Sequence, residues 1–94
     1  MTPDIELVLK EDLGSMNFLS EDVLTTAEER RVRLANLEKA VILGNGYKGK
    51  VRVIFETTDG VKAVETTVWQ AAEDTILLKG GVTIPIHCIR EVMI

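Results

Sequence analysis

Apolar and polar positions alternate most regularly between Lys50 and Trp69, in the run KVRVIFETTDGVKAVETTVW. Val51, Val53 and Phe55 repeat every second residue, the period of a strand with one buried face. Asp59-Gly60 interrupts two β-rich runs, and this pair suits a type I′ turn, which needs positive φ at both central residues. The pattern therefore predicts a long hairpin turning at Asp59-Gly60. Thr58 would face Val61, Phe55 would face Val64, Val53 would face Thr66, and Val51 would face Val68. The opposite face would hold Glu56 with Ala63, Ile54 with Glu65, Arg52 with Thr67, and Lys50 with Trp69. Cross-strand pairs of this kind contribute roughly 0.2–1 kcal/mol each. A slip of one residue would expose the whole apolar set, so the alternation resists it.

Upstream, the period lengthens. Thr2-Pro3-Asp4 reads as a hydroxyl cap, a proline at the first helical position and an acid in the first turn. Ile5, Val8, Leu9 and Leu13 then share one helical face, which predicts a helix over residues 3–13 stopped at Gly14. A strand is the alternative, because Ile5, Leu7 and Leu9 also alternate. Residues 15–25 read as a connection whose Met16, Phe18, Leu19, Val23 and Leu24 pack on something. Thr26-Ala27-Glu28-Glu29 matches a capping box and opens a helix over residues 27–43, ending at Gly44. Ala27, Leu34, Leu37 and Val41 form its apolar stripe, widened by Ala35 and Ile42. Val32 and Leu43 fall on the other side and need cover, from the N-terminal segment or from a partner.

After the hairpin, a turn over residues 70–74 leads to the run TILLK (75–79), whose Ile76, Leu77 and Leu78 put apolar groups on both faces of a strand. Gly80-Gly81 is a tight turn. Val82, Ile84 and Ile86 alternate in a strand; because proline lacks an amide donor, Pro85 either places that strand at an edge or marks its bend. A brief turn and a last strand over residues 91–94 complete the chain. The predicted class is α+β: N-terminal helices, then a four- to five-stranded antiparallel meander closing into a small barrel. Residues 1–25 form an acidic helical and linker segment. Residues 26–94 form the helix and barrel domain.

The run EDTILLKGGVTIPIHCIREV resembles the end of Sm-like and SH3-like small barrels, where a strand, a tight turn, a second strand, a helical turn and a last strand close the sheet. A helix ahead of the first strand is similar to the Sm arrangement. DGVKAVETTVW with GGVTIPI also resembles a group of short bacterial proteins without an assigned activity. The Sm likeness implies RNA binding through loops before the last strands. Here those loops are Gly80-Gly81 and His87-Cys88-Ile89-Arg90, and Arg90 is the one comparable group in them.

Composition narrows the chemistry. Ninety-four residues make one domain, and a 46% hydrophobic share suits a folded chain with an aliphatic core. One cysteine excludes an internal disulfide and fits a reducing, cytoplasmic setting. The N-terminus lacks the basic start and continuous apolar run of a signal peptide. The net charge of −4 is uneven: residues 1–29 carry eight acids and one lysine, residues 30–52 seven bases and one acid. Gly44-Asn45-Gly46-Tyr47-Lys48-Gly49-Lys50-Val51 spells GxGxxGxV, but it follows a helix and precedes a strand. A dinucleotide fingerprint needs the reverse order. His87 and Cys88 adjoin, yet the chain holds no other His or Cys to complete a zinc set. The acid pairs Glu11-Asp12, Glu21-Asp22 and Glu73-Asp74 sit in ends and turns. Neither an enzyme nor a cofactor or metal site is expected.

Two readings of function follow. The first is a protein-interaction or structural module that self-associates through an open strand or through Val32 and Leu43. The alternative is an RNA-binding barrel that uses a basic belt: Arg30, Arg31, Arg33, Lys48, Lys50 and Arg52, with Trp69 as a stacking surface. If the acidic residues 1–29 cover that belt, deletion of residues 2–25 should raise RNA affinity. No membrane partner is expected.

Overall fold

The structure is a computed structural model that describes residues 5–47 and 49–94. A short strand β1 (Glu6–Val8) and a 3-10 turn (Lys10–Ser15) precede one helix, α1 (Ala27–Tyr47). Six strands follow: β2 (Val51–Thr57), β3 (Gly60–Thr66), β4 (Val68–Ala71), β5 (Thr75–Leu78), β6 (Thr83–Pro85) and β7 (Ile89–Met93). A second 3-10 turn (Ile86–Cys88) joins β6 to β7. The strands form two sheets, ordered β1-β3-β2-β7 and β4-β5-β6.

This corrects the expectation of N-terminal helices and a closed barrel. Of the expected helix over residues 3–13, the start at Thr2-Pro3-Asp4 lies outside the described residues. The rest is a strand and a 3-10 turn. The alternation of Ile5, Leu7 and Leu9 prevails because β1 pairs in parallel with β3, Leu7 opposite Ala63 and Val8 opposite Val64. That pairing also explains why the meander does not close. The flank of β3 is taken by β1, the chain turns out of the first sheet at Thr67, and β4 pairs with β5. The helix packs against both β4 and β7, so it covers the opening between the two sheets.

The β2–β3 hairpin forms two residues away from the expected register. Thr57 faces Gly60, Val53 faces Val64 and Val51 faces Thr66. The loop is Thr58-Asp59, and Gly60 supplies the positive φ, 121°. Thr57 sets this position: its hydroxyl accepts from the Asp59 amide at 3.1 Å and donates to the Gly60 carbonyl at 3.2 Å. The Thr58 amide is drawn aside to the Asn17 carbonyl at 2.9 Å. A two-residue shift preserves the side-chain faces, so Val51, Val53, Phe55 and Val64 are buried as the alternation requires. The expected Lys50–Trp69 pair is lost, because Trp69 belongs to β4 in the other sheet.

The capping box at α1 forms as read: the Glu29 amide donates to Thr26 Oγ1 at 3.1 Å, and the Thr26 amide donates to Glu29 Oε1 at 3.3 Å. The helix does not stop at Gly44. It continues to Tyr47, and the Gly49 amide then donates to the Leu43 carbonyl at 3.3 Å. Gly44 is instead a point of close approach to β4. A Cβ there would lie 2.3 Å from the Val68 carbonyl oxygen.

One core joins Leu13, Leu37 and Ala40 to inward residues of both sheets, among them Phe55, Ile76, Ile84 and Ile89. Residues 16–25 run as a strap along one end of it. Phe18 bridges to Thr57 and its ring meets Phe55 at 6.0 Å. The Val23 amide donates to the His87 carbonyl, and Leu24 is buried.

Candidate functional site

The basic belt is the first place to look for a binding surface, and folding disperses it. Arg33 is buried at 6% exposure and grips Asp22 with two guanidinium nitrogens, at 2.9 and 2.8 Å. Its Nη1 also donates to the Ile89 carbonyl at 3.0 Å, and its Nε has no partner among the described residues. The hydrogen bonds from Arg33 hold the Asp22 carboxyl below the usual carboxylate range. Arg30 lies 3.5 Å from the same carboxylate and donates to the Leu24 carbonyl. Arg31 pairs with Glu28 at 3.2 Å, and Arg52 pairs with Glu65 across the hairpin. Part of the acidic N-terminal third does neutralise the belt, through Asp22, but as a partly buried clasp rather than a displaceable cover. Lys48 lies outside the described residues. Lys50 is exposed just ahead of β2, two residues from Arg52. Trp69 is 42% exposed on β4, and its carbonyl accepts from Asn45 Nδ2 at 3.0 Å.

His87 and Cys88 are both turned to the strap. His87 Nε2 lies 2.5 Å from the Leu19 carbonyl, and the Cys88 thiol donates to the same oxygen at 3.2 Å. Burial raises the Cys88 thiol above its usual range, which disfavours the nucleophilic thiolate.

Comparison with family models, with curated proteins and with solved structures finds no match. Function must therefore be argued from surfaces.

Of the two apolar residues that needed cover, Leu43 finds it within the chain. It packs against the core, with Gly49 beside it. Val32 stays half exposed beside Glu28, Glu29 and Glu91 in a cleft of about 380 Å³. The more ordered apolar feature is β1. It is the outer strand of its sheet, and no strand among the described residues lies beyond it. Val8 packs onto the core, and Glu6, on the same side of the strand but exposed, pairs with Lys62 at 2.8 Å. Leu7 takes the opposite face at 60% exposure, between Ile5 at 43% and Leu9 at 67%. Leu9 continues in extended backbone, φ −87° and ψ 147°. The alternation of these three residues was visible in the sequence. Their place on an open edge was not, since it depends on the pairing of β1 with β3, more than fifty residues away.

Proposed function

We propose that this protein is a self-associating interaction module rather than an enzyme, and that the association runs through the free edge of β1. The observation that carries this reading is the exposed apolar row Ile5, Leu7 and Leu9 on an outer strand. Such an edge is a template for further pairing unless charge, proline or a bulge blunts it; the one charge on β1, Glu6, is held by Lys62 and lies off the apolar row. A second copy of the chain suits it because the strand is self-complementary. In an antiparallel pair centred on Leu7, Ile5 meets the partner's Leu9 and Leu7 meets its own symmetry mate. Glu6 then stands opposite Val8, so like charges do not meet. This is the isologous contact of a two-fold dimer. A single cysteine kept as a buried thiol suits the reducing cytoplasm.

Light scattering over a micromolar to submillimolar concentration series tests the reading. The mass should rise from one chain toward two. Leu7→Glu, which sets two carboxylates against each other at the centre, should hold the protein at one chain, with its circular dichroism unchanged. Val32→Glu should leave the dimer intact. A wild-type chain that stays monomeric throughout overturns the reading.

A further inference from the structure

Every arginine is engaged by a carboxylate: Arg30 and Arg33 by Asp22, Arg31 by Glu28, Arg52 by Glu65 and Arg90 by Glu56. Lys62 is held by Glu6. Among the described residues, four cations have no ion-pair partner: Lys10, Lys39, Lys50 and Lys79. Three of these four, all but Lys39, line one cleft of about 210 Å³. They come from separate parts of the chain: the 3-10 turn after β1, the start of β2 and the turn after β5. The Lys10 ammonium lies against the β5–β6 turn, where a Cβ on Gly80 would be 3.4 Å from its Nζ. Two carboxylates, Glu11 and Glu65, share the lining, but Glu65 is already engaged by Arg52. The cleft keeps an excess of positive charge in a chain whose net charge is −4.

A second cleft, of about 310 Å³, adjoins the first, and both are lined by Thr67 and Lys79. Its walls add Trp69, Asn45 and Gly44. Trp69 is the one tryptophan of the chain and is 42% exposed. Lys79 borders both clefts, so ammonium groups and an exposed indole line adjoining walls, which suits a ligand that carries both phosphate and a flat ring. Base stacking on an aromatic residue beside a basic track is how single strands are held without sequence preference.

We infer that this groove binds single-stranded nucleic acid, with backbone phosphate on Lys10, Lys50 and Lys79 and a base against Trp69. A free nucleotide shares that chemistry. A strand is favoured because the two clefts adjoin at Thr67 and Lys79, which offers places for consecutive units. This site differs from the arginine belt read from the sequence. It retains only Lys50 and Trp69 of that set and adds Lys10 and Lys79. It does not require the proposed dimer, although Val8 and Leu9 of the β1 stretch line its first cleft.

The test uses the full chain, an oligothymidylate at low salt and the emission of Trp69. The oligomer should quench Trp69, and its affinity should fall with salt at a logarithmic slope of about −2, as for three neutralised phosphates on a single strand. The double variant Lys50→Glu/Lys79→Glu should lose affinity by about tenfold or more. Lys39→Glu, on α1 away from the groove, should bind as wild type does. Thymidine monophosphate in a parallel titration separates the sources: weaker quenching than by the oligomer assigns the site to a strand, and equal quenching per nucleotide overturns that assignment. The inference also falls if the oligomer leaves Trp69 emission unchanged, if the lysine variant binds normally, or if polyglutamate of equal charge displaces the oligomer as well as unlabelled oligomer does.

Discussion

Gly44 shows how much one residue can decide. In an exposed helix interior, replacing glycine with alanine stabilises by about 1 kcal/mol. Here the new Cβ would meet the Val68 carbonyl at 2.3 Å and Thr67 Cγ2 at 2.9 Å. Backbone cannot swing away as a side chain can, so helix and sheet must separate. Gly44→Ala should therefore destabilise, by about 1–3 kcal/mol on the scale of overpacked cores, as read from urea unfolding. Asp22 decides a second matter. Its folded-state carboxyl is held below the ordinary value of 3.8 by the Arg33 hydrogen bonds, so the stability it contributes is fully present above that value. It is lost as pH falls through the lower, folded value. Wild type should lose stability between pH 5 and pH 2, and Asp22→Asn should be weaker at pH 7 and lose less over that range; parallel pH-dependent thermal melts compare them. In the sequence, Gly44 read as a helix stop and Asp22 as a linker acid. The helix stop was wrong and the clasp of Asp22, though it does lie in the connection, was missed, for one reason: the partners, Val68 and Arg33, are distant in the chain, and neither glycine nor arginine scores as an apolar position.

The helix carries the same lesson one level up. Its buried face is Arg33, Leu37, Ala40 and Gly44, whereas the apolar stripe in the sequence ran through Ala27, Leu34, Leu37 and Val41. The two are offset by roughly 70–80° of helix rotation, less than one residue step. Pattern alone favours Leu34, but Leu34 is 48% exposed and Ile42 67%, since a buried arginine and a close-packed glycine turn the helix. Leu37→Ala should thus cost about 2–5 kcal/mol. Leu34→Ala should cost no more than about 0.5 kcal/mol, as at an ordinary surface site. Equal losses in chemical denaturation would restore the stripe read from the sequence. The hairpin was far more legible. Its alternation is strict, and a register error of two leaves each side chain on its proper face, so the buried set survived a misplaced turn. The strand at TILLK, the glycine turn with positive φ at Gly80 and Gly81, and the edge strand ending in Pro85 were legible for similar local reasons.

At the scale of the molecule, the fold is two sheets with a helix over the gap between them, and β1 is what prevents the simpler meander. Three residues of parallel pairing gave no periodic signal strong enough to outweigh a helical reading of the same stretch. Yet both surfaces assigned here depend on where β1 lies. It presents Leu7 on an open edge, and it delivers Lys10 to the turn that follows Lys79. The most direct check is the set of through-space NMR contacts between backbone protons of residues 5–9 and those of β3 in the isotope-labelled chain. Contacts joining Glu6 to Lys62, Leu7 to Ala63 and Val8 to Val64 in parallel order are expected. A helical pattern of sequential contacts over residues 5–9, or contacts that pair β3 with residues 68–71 instead, would contradict the fold and remove the footing of both surfaces.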